Sequence, residues 1–156
     1  MFTFRRTTKV FKIPVFSNIR ALFSIEKINE KITLGILDLA EFGAKNSIHS
    51  KREREGRGIA FLLGELFPRE QPELKYTEQR KPYLSSHKTR ISIAHSYDLL
   101  TIICNETEET GIDVEMLRDK VKNIKHKFLN HKELTFVQDD VEKMITLWAA
   151  KEALYK

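Results

Sequence analysis

Three carboxylates and two lysines in the last third of the chain have the types and spacing to hold a metal ion beside a phosphate group. Asp113 and Glu115 lie in the segment Gly111-Ile-Asp-Val-Glu, and Lys151, Glu152 and Lys156 lie in the segment Trp148-Ala-Ala-Lys-Glu-Ala-Leu-Tyr-Lys. Side chains two residues apart on a strand point to the same face and lie about 7 Å apart. Asp113 and Glu115 are therefore expected to coordinate one hard cation. Mg²⁺ prefers such oxygen ligands.

The spacing of the second segment aligns a further carboxylate with a lysine. Trp148, Glu152 and Lys156 are four residues apart and therefore share one face of a helix. Each pattern also has an ordinary structural interpretation, because exposed strands often carry acidic pairs and solvated helices often carry Glu–Lys pairs at this spacing. The chemistry therefore depends on whether the two segments meet.

The elements that must position these segments are predicted to be short strands and helices. Apolar patterns predict strands at 2–16 and 19–25 and a helix from Ile28 to Phe42. A second helix is expected to end at Phe67, before Pro68. Further strands are expected at 74–77, 83–84, 91–94, 99–105 and 111–115, and helices at 132–137 and 141–155.

Composition places the chain among ordinary globular proteins. Its 156 residues are 41% hydrophobic and 31% charged, which suits one domain or two small halves that share a core. The longest apolar stretch, residues 59–67, is far shorter than the roughly 20 residues that span a bilayer, so we expect no membrane partner. Cys104, the only cysteine, lies in an apolar run. We expect a buried structural thiol rather than a catalytic one, in a reducing cytoplasm.

The net charge of +5 is concentrated in two segments. Residues 1–25 carry five cations and no acid, and residues 118–132 carry six cations and one acid. The first segment admits an organelle-targeting interpretation, although its Phe, Val and Ile residues favour strands. The second could steer an acidic protein partner, or it could be a solvated basic turn. A nucleic-acid-binding domain would rest on these charges alone, and we expect no nucleic acid partner.

Four ordered motifs resemble those of the Sfp-type 4′-phosphopantetheinyl transferases. Members of this family carry a Gly-Lys-Pro segment, a Ser-His-Ser strand end, a Gly-x-Asp-x-Glu segment and a Trp-x-x-Lys-Glu-Ala-x-x-Lys helix. The counterparts here are Lys81-Pro82, His95-Ser96, residues 111–115 and residues 148–156. The resemblance covers roughly residues 20–156.

The resemblance implies an α+β fold of two pseudo-symmetric halves, each a helix packed on a small antiparallel sheet. Residues 1–105 would form the N-terminal half and residues 106–156 an incomplete C-terminal half, and the two would share one active-site cleft. Family members usually continue past the last helix with further strands. A fragment, an additional tail and a naturally shortened member all remain open interpretations.

The resemblance also implies an enzyme, a holo-acyl-carrier-protein synthase. It would transfer 4′-phosphopantetheine from coenzyme A to a serine of an apo acyl or peptidyl carrier protein and release adenosine 3′,5′-bisphosphate. Mg²⁺ is the implied cofactor, with Asp113, Glu115 and Glu152 as its ligands. Glu152 and Lys156 are the implied catalytic residues, and either Glu152 or a water on the metal would take the serine proton.

The resemblance further implies which residues contact the substrates. The implied contacts to coenzyme A are Lys81, Pro82, His95, Ser96, Lys151 and Lys156, with Arg57 as a further candidate for the 3′-phosphate. The carrier protein would contact the basic segment 118–132, with Phe128 and Leu129 supplying apolar contact. The two-half architecture suggests a monomer.

Two residues depart from the family pattern. Ala94 stands where the family has a serine, which removes a hydroxyl that could bond a phosphate, and Arg80 stands where the family has a glycine. Neither position is an implied metal ligand. The alternative interpretation is a non-catalytic member of the same fold that binds coenzyme A or a carrier protein without turnover.

Overall fold

The computed structural model describes residues 22–85 and 87–156, and in these ranges it is a mixed α+β structure. This confirms the predicted fold class. The elements in chain order are β1 (Phe23–Lys27), β2 (Ile32–Asp38), α1 (Leu39–Lys45), α2 (Lys51–Leu66), β3 (Leu74–Tyr76), β4 (Pro82–Leu84), β5 (Arg90–Ser96), β6 (Leu99–Asn105), α3 (His131–Val137) and α4 (Val141–Tyr155), with short 3₁₀ helices at Asp119–Asn123 and Lys125–Lys127.

The central sheet is antiparallel, with the strand order β1-β2-β6-β5. The β5–β6 pair is a hairpin in which Ser96 lies opposite Leu99 and Arg90 lies opposite Asn105. β3 and β4 form a separate two-stranded ribbon. The predicted strands at 91–94 and 99–105 and at 74–77 and 83–84 are thereby confirmed, as are the helices at 132–137 and 141–155.

The two faces of the central sheet carry two separate apolar clusters. Because side chains alternate along a strand, Leu37, Leu100 and Ile102 face α2, where all three are fully buried together with Leu62. The opposite face carries a smaller apolar cluster of Leu34, Ile36 and Ile103, against which Ile112 packs. The segment that follows β6 therefore covers the face of the sheet that α2 leaves free.

The C-terminal helices have an apolar cluster of their own. Val121, Leu129, Val137 and Met144 are its buried members. α3 begins with a capping box, in which Asn130 accepts from the backbone N–H of Glu133 and the Glu133 carboxylate accepts from the backbone N–H of Asn130. The predicted boundary between the halves near residue 105 stays a prediction.

The predicted helix from Ile28 to Phe42 is wrong. Residues 32–38 form β2, which pairs with β1 on one side and β6 on the other, and α1 begins only at Leu39. Ile32 and Ile36 are four apart, as on a helix face, but they are also an even number apart, as on a strand face. Pairing along the whole of β6 decides between the two patterns.

The predicted strand from Gly111 to Glu115 is also wrong, because residues 109–118 have no regular secondary structure. The predicted strand at 2–16 lies outside the described residues, and the one at 19–25 lies there in part, with its remainder in β1. Within the described ranges, no helix is long and apolar enough to cross a membrane. Cys104 is buried, as predicted, and burial raises the pKa of its thiol to about 12.

Candidate active site

The segment 111–115 lies directly against the last two turns of α4. A Cβ atom placed on Gly111 would lie 1.8 Å from the carbonyl oxygen of Ala153, a distance no side chain tolerates. Gly111 is therefore required by close approach to the helix backbone. Its missing side chain brings the acidic residues that follow it next to the helix that carries Glu152 and Lys156.

Ile112 is held through both of its backbone polar groups. Its N–H donates to the hydroxyl oxygen of Ser92 on β5 at 3.1 Å, and its carbonyl oxygen accepts from the Lys156 ammonium at 3.3 Å. Its side chain packs on the free face of the central sheet. The segment is thus wedged between β5 and α4.

Asp113 forms an ion pair with the end of α4. Lys156 Nζ donates to Asp113 Oδ1 at 2.6 Å, and the aspartate side chain is only 9% exposed. The other oxygen, Asp113 Oδ2, is buried and has no hydrogen-bond partner among the described residues. A buried carboxylate oxygen without a partner is costly, and it is the kind of atom that a bound cation satisfies.

Glu115 is held by Trp148, which lies on the same face of α4 as Glu152 and Lys156; this face is called the helical stripe. The indole N–H of Trp148 donates to Glu115 Oε1 at 3.2 Å. Partial desolvation, and then the negative charge of Asp113, raise the pKa of Glu115, while Trp148, Arg118 and Lys156 oppose that rise. The two carboxylates therefore lie close enough to repel one another, and a cation between them would relieve that repulsion.

Lys151 points to a different set of partners. Its ammonium donates to the carbonyl oxygen of Phe128 at 2.5 Å and to Glu133 Oε2 at 2.7 Å. The bond from Lys151, followed by the bond from the Asn130 backbone, lowers the pKa of Glu133. The Lys151 ammonium therefore links α4 to α3 and to the residue Phe128 that precedes it, and it does not lie beside Asp113.

The two apolar residues singled out in the basic segment make internal contacts. Phe128 packs edge-on against Trp148 with ring centroids 4.7 Å apart, and Leu129 is buried in the C-terminal cluster. Leu129 is therefore enclosed in the core, whereas Phe128 is half-buried, and the apolar contact with a partner stays a prediction. The Phe128 ring also supports the indole that holds Glu115.

Lys81 and Pro82 lie at the start of the β3–β4 ribbon's second strand. The Lys81 ammonium forms an ion pair with the Glu109 carboxylate, which also forms an ion pair with Arg90 Nε at 3.2 Å. Glu109 is two residues before Gly111. The structure therefore brings Lys81 to the start of the segment that carries Asp113.

His95 and Arg57 are not brought together. His95 Nδ1 lies 3.3 Å from Glu55 Oε1 on α2, and Ser96 ends β5 beside it. Arg57 is two residues beyond Glu55, about 200° around the helix, and it pairs instead with Glu53 at 3.3 Å on an exposed face. The structure gives Arg57 no contact with the other predicted residues that it describes.

Comparison with known proteins identifies the family. No family model matches the chain. Two curated relatives, the 4′-phosphopantetheinyl transferases AcpT of Escherichia coli strain K12 and of Escherichia coli O157:H7, are each 30% identical to it over 114 residues. The matched region is 68% of this chain and 57% of each relative, so the match spans little more than half the length of these proteins. The chain belongs to the 4′-phosphopantetheinyl transferase superfamily.

The donor set around Asp113 fits a hard dication in two of the three predicted positions. Asp113 supplies a buried oxygen with no partner among the described residues, and Glu115 supplies a carboxylate whose pKa is raised by desolvation and then by the charge of Asp113. Glu152 lies on the helical stripe between Trp148 and Lys156, which contact these two residues. No group of three acidic, histidine or cysteine side chains close enough to hold a metal ion occurs in residues 22–85 and 87–156, so Glu152 as third ligand stays a prediction.

Sequence reasoning missed several residues that position the predicted site residues. Glu55 is a charged residue on the helix face that carries Ile59 and Leu62, and that placement is the signal that could have found it. Ser92 lies at an alternating polar position of β5, so the strand pattern alone does not mark it. Arg118 stacks over the Tyr97 ring at 3.9 Å from its centroid, which ties the far end of the acidic segment to the β5–β6 turn. No sequence signal indicated that pair.

Proposed function

We propose that this protein transfers 4′-phosphopantetheine from coenzyme A to a serine of an apo acyl or peptidyl carrier protein, with Mg²⁺, and releases adenosine 3′,5′-bisphosphate. The proposal takes the reaction class from the names of the AcpT relatives. The observation that carries it is the pair Asp113 and Glu115, fixed against the helical stripe of Trp148, Glu152 and Lys156.

Asp113 and Glu115 would hold the metal ion, and Glu152 would complete the acidic set from the same helix stripe. When bound, Mg²⁺ would neutralise charge that develops on the phosphate oxygens. The protein groups do the remaining work by position. The buried Asp113 and the indole-bonded Glu115 are pre-oriented, so little reorganisation is needed when the pyrophosphate arrives.

The reaction would transfer the phosphopantetheine group from the bridging oxygen of the coenzyme A pyrophosphate to the oxygen of the carrier serine. The carrier serine oxygen forms a bond to the β-phosphorus of coenzyme A, and the bond from that phosphorus to the bridging oxygen breaks. Glu152, or a water beside it, takes the serine proton. Lys156 already reaches Asp113 and the Ile112 carbonyl oxygen, and it would stabilise the leaving phosphate as a point charge.

The remaining predicted contacts divide between two places. Lys81 and Pro82 would meet coenzyme A near Glu109, and His95 and Ser96 would meet it at the end of β5. Lys151 would contact coenzyme A only after breaking its bonds to Glu133 and Phe128. Arg57 would contact it only if the nucleotide reaches the exposed side of α2. The basic segment 118–132 would attract an acidic carrier protein, with the enzyme acting as a monomer in the cytoplasm.

The test is a transfer assay on the full chain. The protein is incubated with coenzyme A, Mg²⁺ and several apo carrier proteins, and each carrier is weighed by mass spectrometry. We expect a phosphopantetheine adduct that disappears with Asp113→Asn and persists with Asp119→Asn, whose carboxylate is exposed and paired with Lys122. Absence of adduct on every carrier, in a protein that is folded, would sink the proposal.

A second candidate function is binding without turnover, by a member that recognises coenzyme A or a carrier protein. Two observations favour it: Asp113 Oδ1 is already paired with Lys156, and Lys151 is committed to Glu133 and Phe128. This candidate predicts coenzyme A binding by calorimetry in a protein that gives no adduct. The transfer assay and the calorimetry together separate the two functions.

A further inference from the structure

Ser92 is a buried hydroxyl on an apolar face of the sheet. The residue is 3% exposed, and its strand neighbour on the same face, Ala94, is also 3% exposed. Opposite Ser92 on β6 lies Ile103, a member of the apolar cluster on that face. Burying a hydroxyl among apolar groups costs free energy unless a hydrogen bond compensates for it.

The compensating bond goes to the backbone of the acidic segment. The Ile112 N–H donates to Ser92 Oγ at 3.1 Å. This segment has no regular structure and pairs with no strand, so a side chain provides the hydrogen bond that a sheet ladder would otherwise provide.

The position of Asp113 follows from this contact. On one side, Ile112 is tied to β5 by Ser92; on the other, its carbonyl oxygen and the Asp113 carboxylate are tied to α4 by Lys156. Gly111 fits against the Ala153 carbonyl oxygen immediately before. Without the Ser92 contact, the Ile112 side chain would still pack on the sheet, but no hydrogen bond would fix the Ile112 peptide to β5.

We propose that Ser92 is a positioning residue for Asp113, acting through the Ile112 peptide; this rests on the proposed function, in which Asp113 is a metal ligand. Ser92 touches neither substrate nor metal. It sets where the aspartate carboxylate stands relative to Glu115 and α4.

The experiment measures metal affinity and local amide exchange in the full chain. Mn²⁺ serves as the probe, and its free concentration is followed by electron paramagnetic resonance, with and without coenzyme A. Ser92→Ala removes the acceptor, and Ser92→Thr keeps it. Thr101→Val is the matched control, because Thr101 is a fully buried hydroxyl on the same sheet face whose bond goes to the Ala94 carbonyl oxygen instead.

We expect Ser92→Ala to weaken Mn²⁺ binding roughly ten-fold, the size of effect seen when an outer-sphere partner of a metal ligand is removed. Ser92→Thr should restore much of the affinity, and Thr101→Val should leave it unchanged. Hydrogen exchange should show the Ile112 amide losing protection in Ser92→Ala alone. A wild-type protein that binds no Mn²⁺, or equal affinities in Ser92→Ala and Thr101→Val, would overturn the inference.

The outcomes separate the two proposals. A wild-type protein that gives no adduct on any carrier, yet shows the Ser92-dependent Mn²⁺ affinity, loses the proposed reaction and keeps the positioning role. A wild-type protein that makes adduct while Ser92→Ala retains both affinity and Ile112 protection loses only the positioning role. If Ser92→Ala does not fold, exchange in the wild type decides, because an Ile112 amide as fast as an unbonded loop amide contradicts the contact.

Discussion

The central sheet with α2 and the region from residue 111 to the end of α4 are stabilised in different ways. In the first, α2 packs on one sheet face through fully buried leucines and isoleucines such as Leu62, Leu100 and Ile102. In the second, a four-residue buried cluster is supplemented by side chains that reach across to backbone atoms and carboxylates. The first region owes its position mainly to apolar burial and the second largely to polar contacts.

This difference separates two ways in which the protein positions its atoms. Apolar burial is non-directional, whereas hydrogen bonds and ion pairs fix individual atoms. Asp113 and Glu115, the ligands of the proposed metal site, lie in the polar region. The following substitutions test that division.

The largest effect is expected from the apolar scaffold. Leu100→Ala should lower the free energy of unfolding by about 3 to 4 kcal/mol, because it leaves a cavity in a fully buried cluster. Met144→Ala, in the C-terminal cluster, should cost about 2 kcal/mol, because methionine contacts are more easily replaced. Urea unfolding measures both. A larger loss at Met144 than at Leu100 would contradict the comparison.

The next effect tests the close approach of the acidic segment to α4. Gly111→Ala should cost about 2 kcal/mol, because its methyl group would collide with the Ala153 carbonyl oxygen and push the segment off the helix. Gly64→Ala is the control, since no atom of residues 22–85 and 87–156 lies within 4 Å of its Cβ position in α2, and it should stabilise by about 0.5 to 1 kcal/mol. Thermal unfolding distinguishes the two, and equal signs would be the contrary result.

A smaller effect is expected from the lysine that holds Asp113. Lys156→Met should cost about 1 kcal/mol, because it leaves a nearly buried carboxylate without its donor. Lys122→Met, which breaks an exposed pair with Asp119, should change stability very little. Chemical denaturation of both variants at low and high salt provides the measurement. Equal effects would show that Asp113 is as well solvated as Asp119.

The smallest effect separates two glutamates with opposite pKa shifts. The pKa of Glu115 is raised, so the native state binds its proton more tightly than the unfolded state, and ionisation costs stability as pH rises through the raised pKa. Glu115→Gln keeps an acceptor for Trp148 and should be slightly more stable than wild type at pH 7. That advantage should fade as the pH falls towards the ordinary value of 4.5.

Glu133 should behave in the opposite way. Its pKa is lowered, so its contribution is present above the ordinary glutamate value and is lost as pH falls through the lowered pKa. Glu133→Gln should therefore be less stable than wild type at pH 7 and converge with it in acid. Melting temperatures of both variants across this range check the signs. Stabilisation by both substitutions, or by neither, would contradict the assignment of one carboxylate to chemistry and the other to structure.

Much of the scaffold could be predicted from the sequence, because its signals are local. The helical period in α2 and α4 and the apolar runs of β5 and β6 depend on neighbours within one element. β2 was misread because Ile32 and Ile36 satisfy both periods until β6 is known to lie alongside. Asp113, Glu115 and Lys156 could be named from their motifs, but the Ser92 contact, 20 residues away, and the partners of Lys151 depend on tertiary packing.

Trp148 provides an intrinsic fluorescence signal at this site. It is the only tryptophan in the chain, and its indole N–H is bonded to Glu115. Indole emission responds to the charge and hydration around the ring, so a change at Glu115 should alter the emission spectrum of the whole protein. The residue that bonds this carboxylate is therefore also an intrinsic optical probe, with which the proposed binding of a metal ion at Asp113 and Glu115 is testable in real time in the unmodified protein.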